Sequence, residues 1–280
     1  MNLFLSTSMA VVSAIAAATA NAADKAALSP HRAIYDMHLL ATRDSAEFTG
    51  MRGKMFLEWT DVCDGWTLNQ RVRMDFTHRE GHDIDNEFSF SSWESRDGSS
   101  FRYTMRTTTN GEVVEEIDGR AELDSGAGGG SARFTLPEIA EIALPPGTIF
   151  PTEHLFMTVA TALADKPVLA KTMFSGTGLD SLNQVTAFIG SLIAPGSAPV
   201  AGSDAGSESD RGAIEALGAL RSWPIDMAYF PMRGSDSEPE FEVHFRLMEN
   251  GVSSEMDLDY GDFAIRATLA HLEILPPADC

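Results

Sequence analysis

The stretch Met55-Phe56-Leu57-Glu58-Trp59, followed by Cys63-Asp64-Gly65-Trp66 and then by Val72-Arg73-Met74-Asp75-Phe76, puts an apolar side chain at every second position on both flanks of a turn signal. Successive strand side chains point to opposite faces, so this period of two predicts two β-strands, each with one buried face. Asp64-Gly65 is a pair that tolerates positive φ, as a tight hairpin requires, so the two strands should run antiparallel.

The same alternation recurs outward in both directions. It is present at Ala33, Tyr35, Met37 and Leu39, at Phe88 and Phe90, and at Phe101, Tyr103 and Met105. It returns at Val243, Phe245 and Leu247, and at Met256, Leu258 and Tyr260. Asp97-Gly98, Asn110-Gly111 and Asn250-Gly251 supply further turns between neighbours. The expected architecture is mostly β, an antiparallel meander.

One segment breaks the pattern. Thr152 can cap a helix, Glu153 favours its positive end, and Leu155, Phe156, Val159 and Leu163 share a face. A single amphipathic helix from Thr152 to Asp165, stopped before Pro167, must bury that face, and a curved sheet would receive it as a plug or lid. Ser125 to Ser131 is Gly-rich. Ala194 to Gly212 is dominated by small and polar residues and reads as a disordered loop within one domain spanning residues 23–280.

The first 22 residues carry no charged side chain and include the apolar run Met9 to Ala18, long enough for a signal-peptide core and too short to span a bilayer. Ala20-Asn21-Ala22 offers small residues for cleavage after Ala22, so the protein is expected to be exported without a membrane anchor. Cys63 and Cys280 are its only cysteines. In an oxidising compartment they are expected to pair as a structural disulfide. There are 41 acidic and 20 basic residues, a net charge of −21. Such a field disfavours nucleic acid and anionic lipid heads while leaving divalent cations and basic proteins open.

Chemical motifs are sparse. His78 and His82, with Asp83, Asp85 and Glu87, concentrate metal-ligand types. However, histidines four apart share a face only on a helix, and the glycine of a calcium loop is missing, so a solvated acidic strand edge is the favoured reading. Phe174-Ser175-Gly176-Thr177-Gly178 lacks the glycine two before the serine that a nucleophile elbow needs, and no Ser-x-x-Lys occurs. No catalytic residue, metal ligand or cofactor is expected from these motifs.

Several strings form a set: Pro30-His31-Arg32-Ala33-Ile34-Tyr35-Asp36, Cys63-Asp64-Gly65-Trp66, Phe150-Pro151-Thr152-Glu153-His154, Trp223-Pro224-Ile225 and Asp259-Tyr260-Gly261-Asp262-Phe263. Together they resemble the cell-envelope integrity protein B (EipB) family of Gram-negative alphaproteobacteria, catalogued as a domain of unknown function. The resemblance implies a periplasmic, non-enzymatic protein with a long curved, spiral-like antiparallel sheet, an associated helix, and a disulfide from the early cysteine to the C-terminal one. It further implies maintenance of envelope integrity under cell-wall or membrane stress, by binding a protein partner, a peptidoglycan fragment or a lipidic ligand. His31, Arg32, Asp64, Gly65, Trp66, His154, Asp259 and Tyr260 are carried over as motif positions with structural roles, and Pro224 is read as marking an edge strand or its first residue. Rival readings are a lipid or lipoprotein carrier with a cavity lined by Met and Phe, and a metal-dependent envelope enzyme using His78 and His82.

Overall fold

A computed structural model describes residues 27–43, 47–79, 81, 83–124, 128–202, 207–232 and 238–280. The leader with its cleavage point, His82 and part of both small-residue segments lie outside them. The strands are β1 (His31–Thr42), β2 (Phe48–Asp61), β3 (Gly65–His78), β4 (Asp83–Ser95), β5 (Ser100–Thr109), β6 (Glu112–Leu123), β7 (Gly130–Leu136) and β8 (Ala140–Leu144). Helix α1 (Pro151–Leu163) follows, then β9 (Val168–Phe174), β10 (Leu182–Ile189), α2 (Glu208–Ala216), β11 (Ser222–Pro231), β12 (Phe241–Met248), β13 (Ser253–Asp259) and β14 (Phe263–Ile274).

All fourteen strands join one antiparallel sheet in the order β8-β7-β6-β5-β4-β3-β2-β1-β14-β13-β12-β11-β10-β9. The first and last strands pair at its centre, Ala33 opposite Leu272 and Met37 opposite Ala267. From there the chain meanders to the two edges, β8 and β9, and α1 connects them. An unpaired edge is a hazard, and here the two edges meet. Ile149, just after β8, donates its N–H to Thr172 and accepts from Phe174 on β9, so the curved sheet is a nearly closed barrel.

The alternation does what period two requires. Cross-strand register puts Met55 opposite Tyr35 and Val72, and Val72 opposite Phe88, so one face carries a continuous apolar layer. That concave face is the core. Tyr35, Tyr103, Phe101, Phe134, Phe150, Phe174, Ile225 and Leu247 are fully buried.

Asn110-Gly111 forms its expected two-residue turn, with φ of 52° and 80°. The turn expected at Asp64-Gly65 is displaced by one residue. Val62, Cys63 and Asp64 separate β2 from β3, and the Val62 N–H bonds the Gly65 carbonyl across a turn made by Cys63, at φ 62°, and Asp64. Gly65 begins β3, where a Cβ would lie 2.2 Å from the Glu94 carbonyl oxygen, so the close approach of β4 explains the glycine.

Pro224 lies in an interior strand, not at an edge or first position, because β11 sits between β10 and β12. Its missing N–H faces the side on which β10 has already ended at Ile189. The Pro224 carbonyl accepts from Gly190 there, so no ladder bond is lost.

The cap of helix α1 lies two residues earlier than expected, at Phe150 rather than Thr152, with Pro151 in the first turn. A second helix corrects the expectation of a single one. Within the segment Ala194 to Gly212, Ser207 and Asp210 form a reciprocal capping box and start α2. Ile214 of α2 joins the core with Leu269 and Leu272, and Asp210 binds His271 of β14.

Candidate functional site

Alpha-helix α1 crosses the concave face. Val159 and Ala162 pack with Leu169, Val185, Ile225 and Leu247 from the β9–β12 side. On the opposite side Phe156 meets Trp66 at 5.2 Å and Trp59 at 6.2 Å between ring centroids, and the two indoles stack at 4.5 Å. The helix is held at both flanks by aromatic and aliphatic surface.

Its N-terminus is closed from the sheet. Glu94 of β4 is 2% exposed, and its two carboxylate oxygens accept N–H bonds from Thr152 and Glu153 at 2.8 and 2.9 Å. Those donors are among the four that a helix leaves unpaired, and the helix dipole favours the negative charge. Burial nevertheless dominates and raises the Glu94 pKa to about 7. His154, one turn in, is also buried. Desolvation, with Lys171 nearby, lowers it to about 4, so it is neutral at ordinary pH. Its Nδ1 stands 3.4 Å from the Thr158 hydroxyl, and Nε2 has no hydrogen-bond partner among the described residues.

Between the N-terminal end of α1 and the sheet lies a cavity of about 740 Å³. Leu68, Phe88, Phe90, Met173, Tyr229, Phe241 and Tyr260 contribute its large apolar side chains, and Gln70, Glu115, Asp180, Asn183 and Glu240 are among its polar ones. Asn183 Oδ1 is buried without a partner among the described residues. A volume of this size, with apolar and polar groups side by side, matches small-molecule sites, which commonly fall at roughly 300–1,000 Å³. It can hold an apolar body, while the carboxylates near its wall disfavour a negatively charged head.

The motif positions divide between this face and elsewhere. Trp66 and His154 belong to the α1 contact, and Tyr260 reaches the cavity, with its ring 4.9 Å from Phe263. His31 is buried beside Trp59 and hydrogen-bonds the Ser29 carbonyl at 2.9 Å; desolvation lowers its pKa. Arg32 points to the convex face and bridges Glu58 and Glu273 on the two neighbouring strands. Asp64 is a turn residue, and Asp259 accepts the Gly261 N–H at 2.8 Å.

Cys63 and Cys280 are joined by a disulfide with Cα atoms 5.7 Å apart. Arg96 reinforces this end by donating to the Cys63 carbonyl at 2.7 Å and lying over Trp66 at 4.6 Å. The acidic run expected at a strand edge lies instead on β4, which is paired on both sides by β3 and β5, and it is engaged by a cation. Asp85 and Glu87 face Arg73 at 2.5 and 3.6 Å, and His78 faces Glu47 at 3.5 Å. Among the described residues no group of three or more His, Cys, Asp or Glu side chains is placed to hold a metal.

Glu94, Asn183 and Glu240 escaped the sequence reading. Glu94 left a signal, because it shares parity with Phe88 and Phe90 on β4 and is therefore a carboxylate on the inward row.

The EipB-like family model matches residues 22–276. The chain belongs to the EipB-like family. A curated relative, the cell envelope integrity protein EipB of Brucella abortus, is 28% identical over 263 residues, covering 92% of this chain and 88% of that protein. The crystal structure of a β-barrel-like protein of a domain of unknown function from Brucella abortus superposes with a TM-score of 0.78 at 28% identity, covering 89% of this chain and 99% of that one. The EipB-like assignment thus extends over the strands, α1 and the cavity alike. No helix among the described residues is long and apolar enough to cross a membrane.

Proposed function

We propose that this protein is an exported, periplasmic, non-enzymatic factor that maintains the cell envelope under cell-wall or membrane stress by holding a lipidic ligand in its concave cavity. Family membership and similarity to a protein named for cell envelope integrity support the envelope role. The observation that carries the binding reading is the cavity wall of Leu68, Phe88, Phe90, Met173 and Phe241. An apolar chain fills the wall, and a neutral or cationic head suits Glu115 and Glu240.

The test is organic extraction of protein purified from a periplasmic extract, followed by mass spectrometry. Recovery of an acyl-chain compound near stoichiometry supports the reading, and a ligand-free protein that also ignores fluorescent fatty-acyl probes refutes it. A carrier that passes such a ligand to another envelope component is the second reading, favoured by the near-closed barrel with a helix across its inner face.

A further inference from the structure

The outer surface of β5–β7 carries an arrangement that the net charge conceals. Register sets Arg102 directly opposite Arg120, and Arg120 directly opposite Arg133. Side chains in such positions have Cβ atoms about 5 Å apart, and like charges placed so repel. At the ends of the row Arg102 lies 4.9 Å over the Trp93 ring, and Arg133 is 3.3 Å from Glu141. Arg120, in the middle, has neither a carboxylate nor a ring partner among the described residues. All three are exposed.

This row lines a groove of about 800 Å³ that also contains Asp118, Glu141 and Ile139. Asp118 is engaged by the Thr135 hydroxyl. Ile139 is 93% exposed and Leu136, at the same β7–β8 turn, 40%. The cations of the neighbouring groove are compensated, Lys54 by Asp36, Arg73 by Asp85 and Glu87, and Arg106 by Glu116, so the row stands apart from them. Within a chain of net charge −21 the three arginines of this row thus form a local cluster of cations, although Glu116, Asp118 and Glu122 share the outward row of β6, and the cluster sits beside bare aliphatic side chains. A whole-molecule charge does not describe the field within a Debye length of such a row.

We propose that the Arg102–Arg120–Arg133 row docks the protein on anionic phospholipid headgroups at a membrane surface. The guanidiniums take phosphate oxygens through paired N–H donors, and Ile139 and Leu136 enter the acyl boundary. This site is separate from the concave cavity, so it stands or falls independently of the ligand proposed there.

The experiment is co-sedimentation of protein from the periplasmic extract with phosphatidylglycerol vesicles, phosphatidylcholine vesicles, or neither, with pyrophosphate titrated in parallel. Expected are binding to the anionic vesicles that weakens with salt, about a fivefold loss in Arg120→Gln, and none in the charge-matched Lys166→Gln. The melting temperature of Arg120→Gln should be equal to or above wild type, because a like-charge contact is removed. Equal binding to both vesicle types, undiminished binding by Arg120→Gln, or capture of pyrophosphate without vesicle association would overturn the proposal.

Discussion

Glu94 and Thr152 stand 58 residues apart in sequence and are joined by a 2.8 Å hydrogen bond from the helix N–H to a buried carboxylate oxygen. Through this contact the sheet fixes where α1 enters the concave face, and with it one end of the cavity, since Pro151 lines the cavity wall.

The pair Glu94 and His154 should shape the pH dependence of stability. Glu94 is raised from 4.5 to about 7, so the native state holds more protons than the unfolded chain between those values, and stability falls as pH rises through that window. His154 is lowered from 6.5 to about 4, so the unfolded chain binds the extra proton, and stability rises with pH between 4 and 6.5. Each contribution is on the order of 3 kcal/mol, and over pH 4.5–6.5 they oppose. Glu94→Gln should therefore show a melting temperature that climbs across this window, His154→Leu one that declines, and wild type a flatter profile than either. Parallel profiles in all three would exclude this coupling.

The disulfide closes a loop with a sequence separation of 217, which on the chain-entropy treatment corresponds to roughly 5 kcal/mol. Cys63→Ser should lower stability by several kcal/mol, and reductant should lower the wild-type melting temperature but not that of the variant. Equal melting curves with and without reductant would contradict a structural bond.

Phe156 touches both stacked indoles from the helix side. Phe156→Ala should cost about 3 kcal/mol and shift tryptophan emission to the red as water reaches Trp59 and Trp66. Arg32→Ala, by contrast, removes half-exposed ion pairs and should cost about 1 kcal/mol or less. Chemical denaturation of the two variants side by side checks the ranking.

Leu68 is half-buried on the cavity wall. Leu68→Trp puts additional ring volume into the space and should reduce co-purified ligand about tenfold or more with little change in melting temperature. Unchanged ligand content would place the occupant elsewhere.

The strands were legible where alternation is strict, as in Tyr35-x-Met37 and Phe101-x-Tyr103-x-Met105, because a half-buried strand must alternate. Asn110-Gly111 was legible because few pairs tolerate two positive φ values. Alpha-helix α2 was not, since its Gly-, Ser- and Asp-rich start has the composition of a loop. Only Ser207-x-x-Asp210 marks its cap, and its stability comes from Ile214 and His271 contacts made by tertiary packing. The arginine row was hidden for a related reason. Arg102, Arg120 and Arg133 become neighbours only through hairpin register, which a one-residue slip would change. The cavity polar groups Asn183, on β10, and Glu240, just before β12, are distant in sequence and come together across β11, where Asn183 lies opposite Pro231 and the Glu240 N–H bonds the Tyr229 carbonyl.

The most direct test of the central claim is survival of a deletion strain on detergent and on a cell-wall antibiotic, complemented with wild type or with Leu68→Trp at matched protein level. If the concave cavity is the working part, the deletion is sensitive to both stresses, wild type restores growth, and the folded Leu68→Trp protein does not. Normal growth of the deletion strain under both stresses, or full rescue by Leu68→Trp, would contradict it.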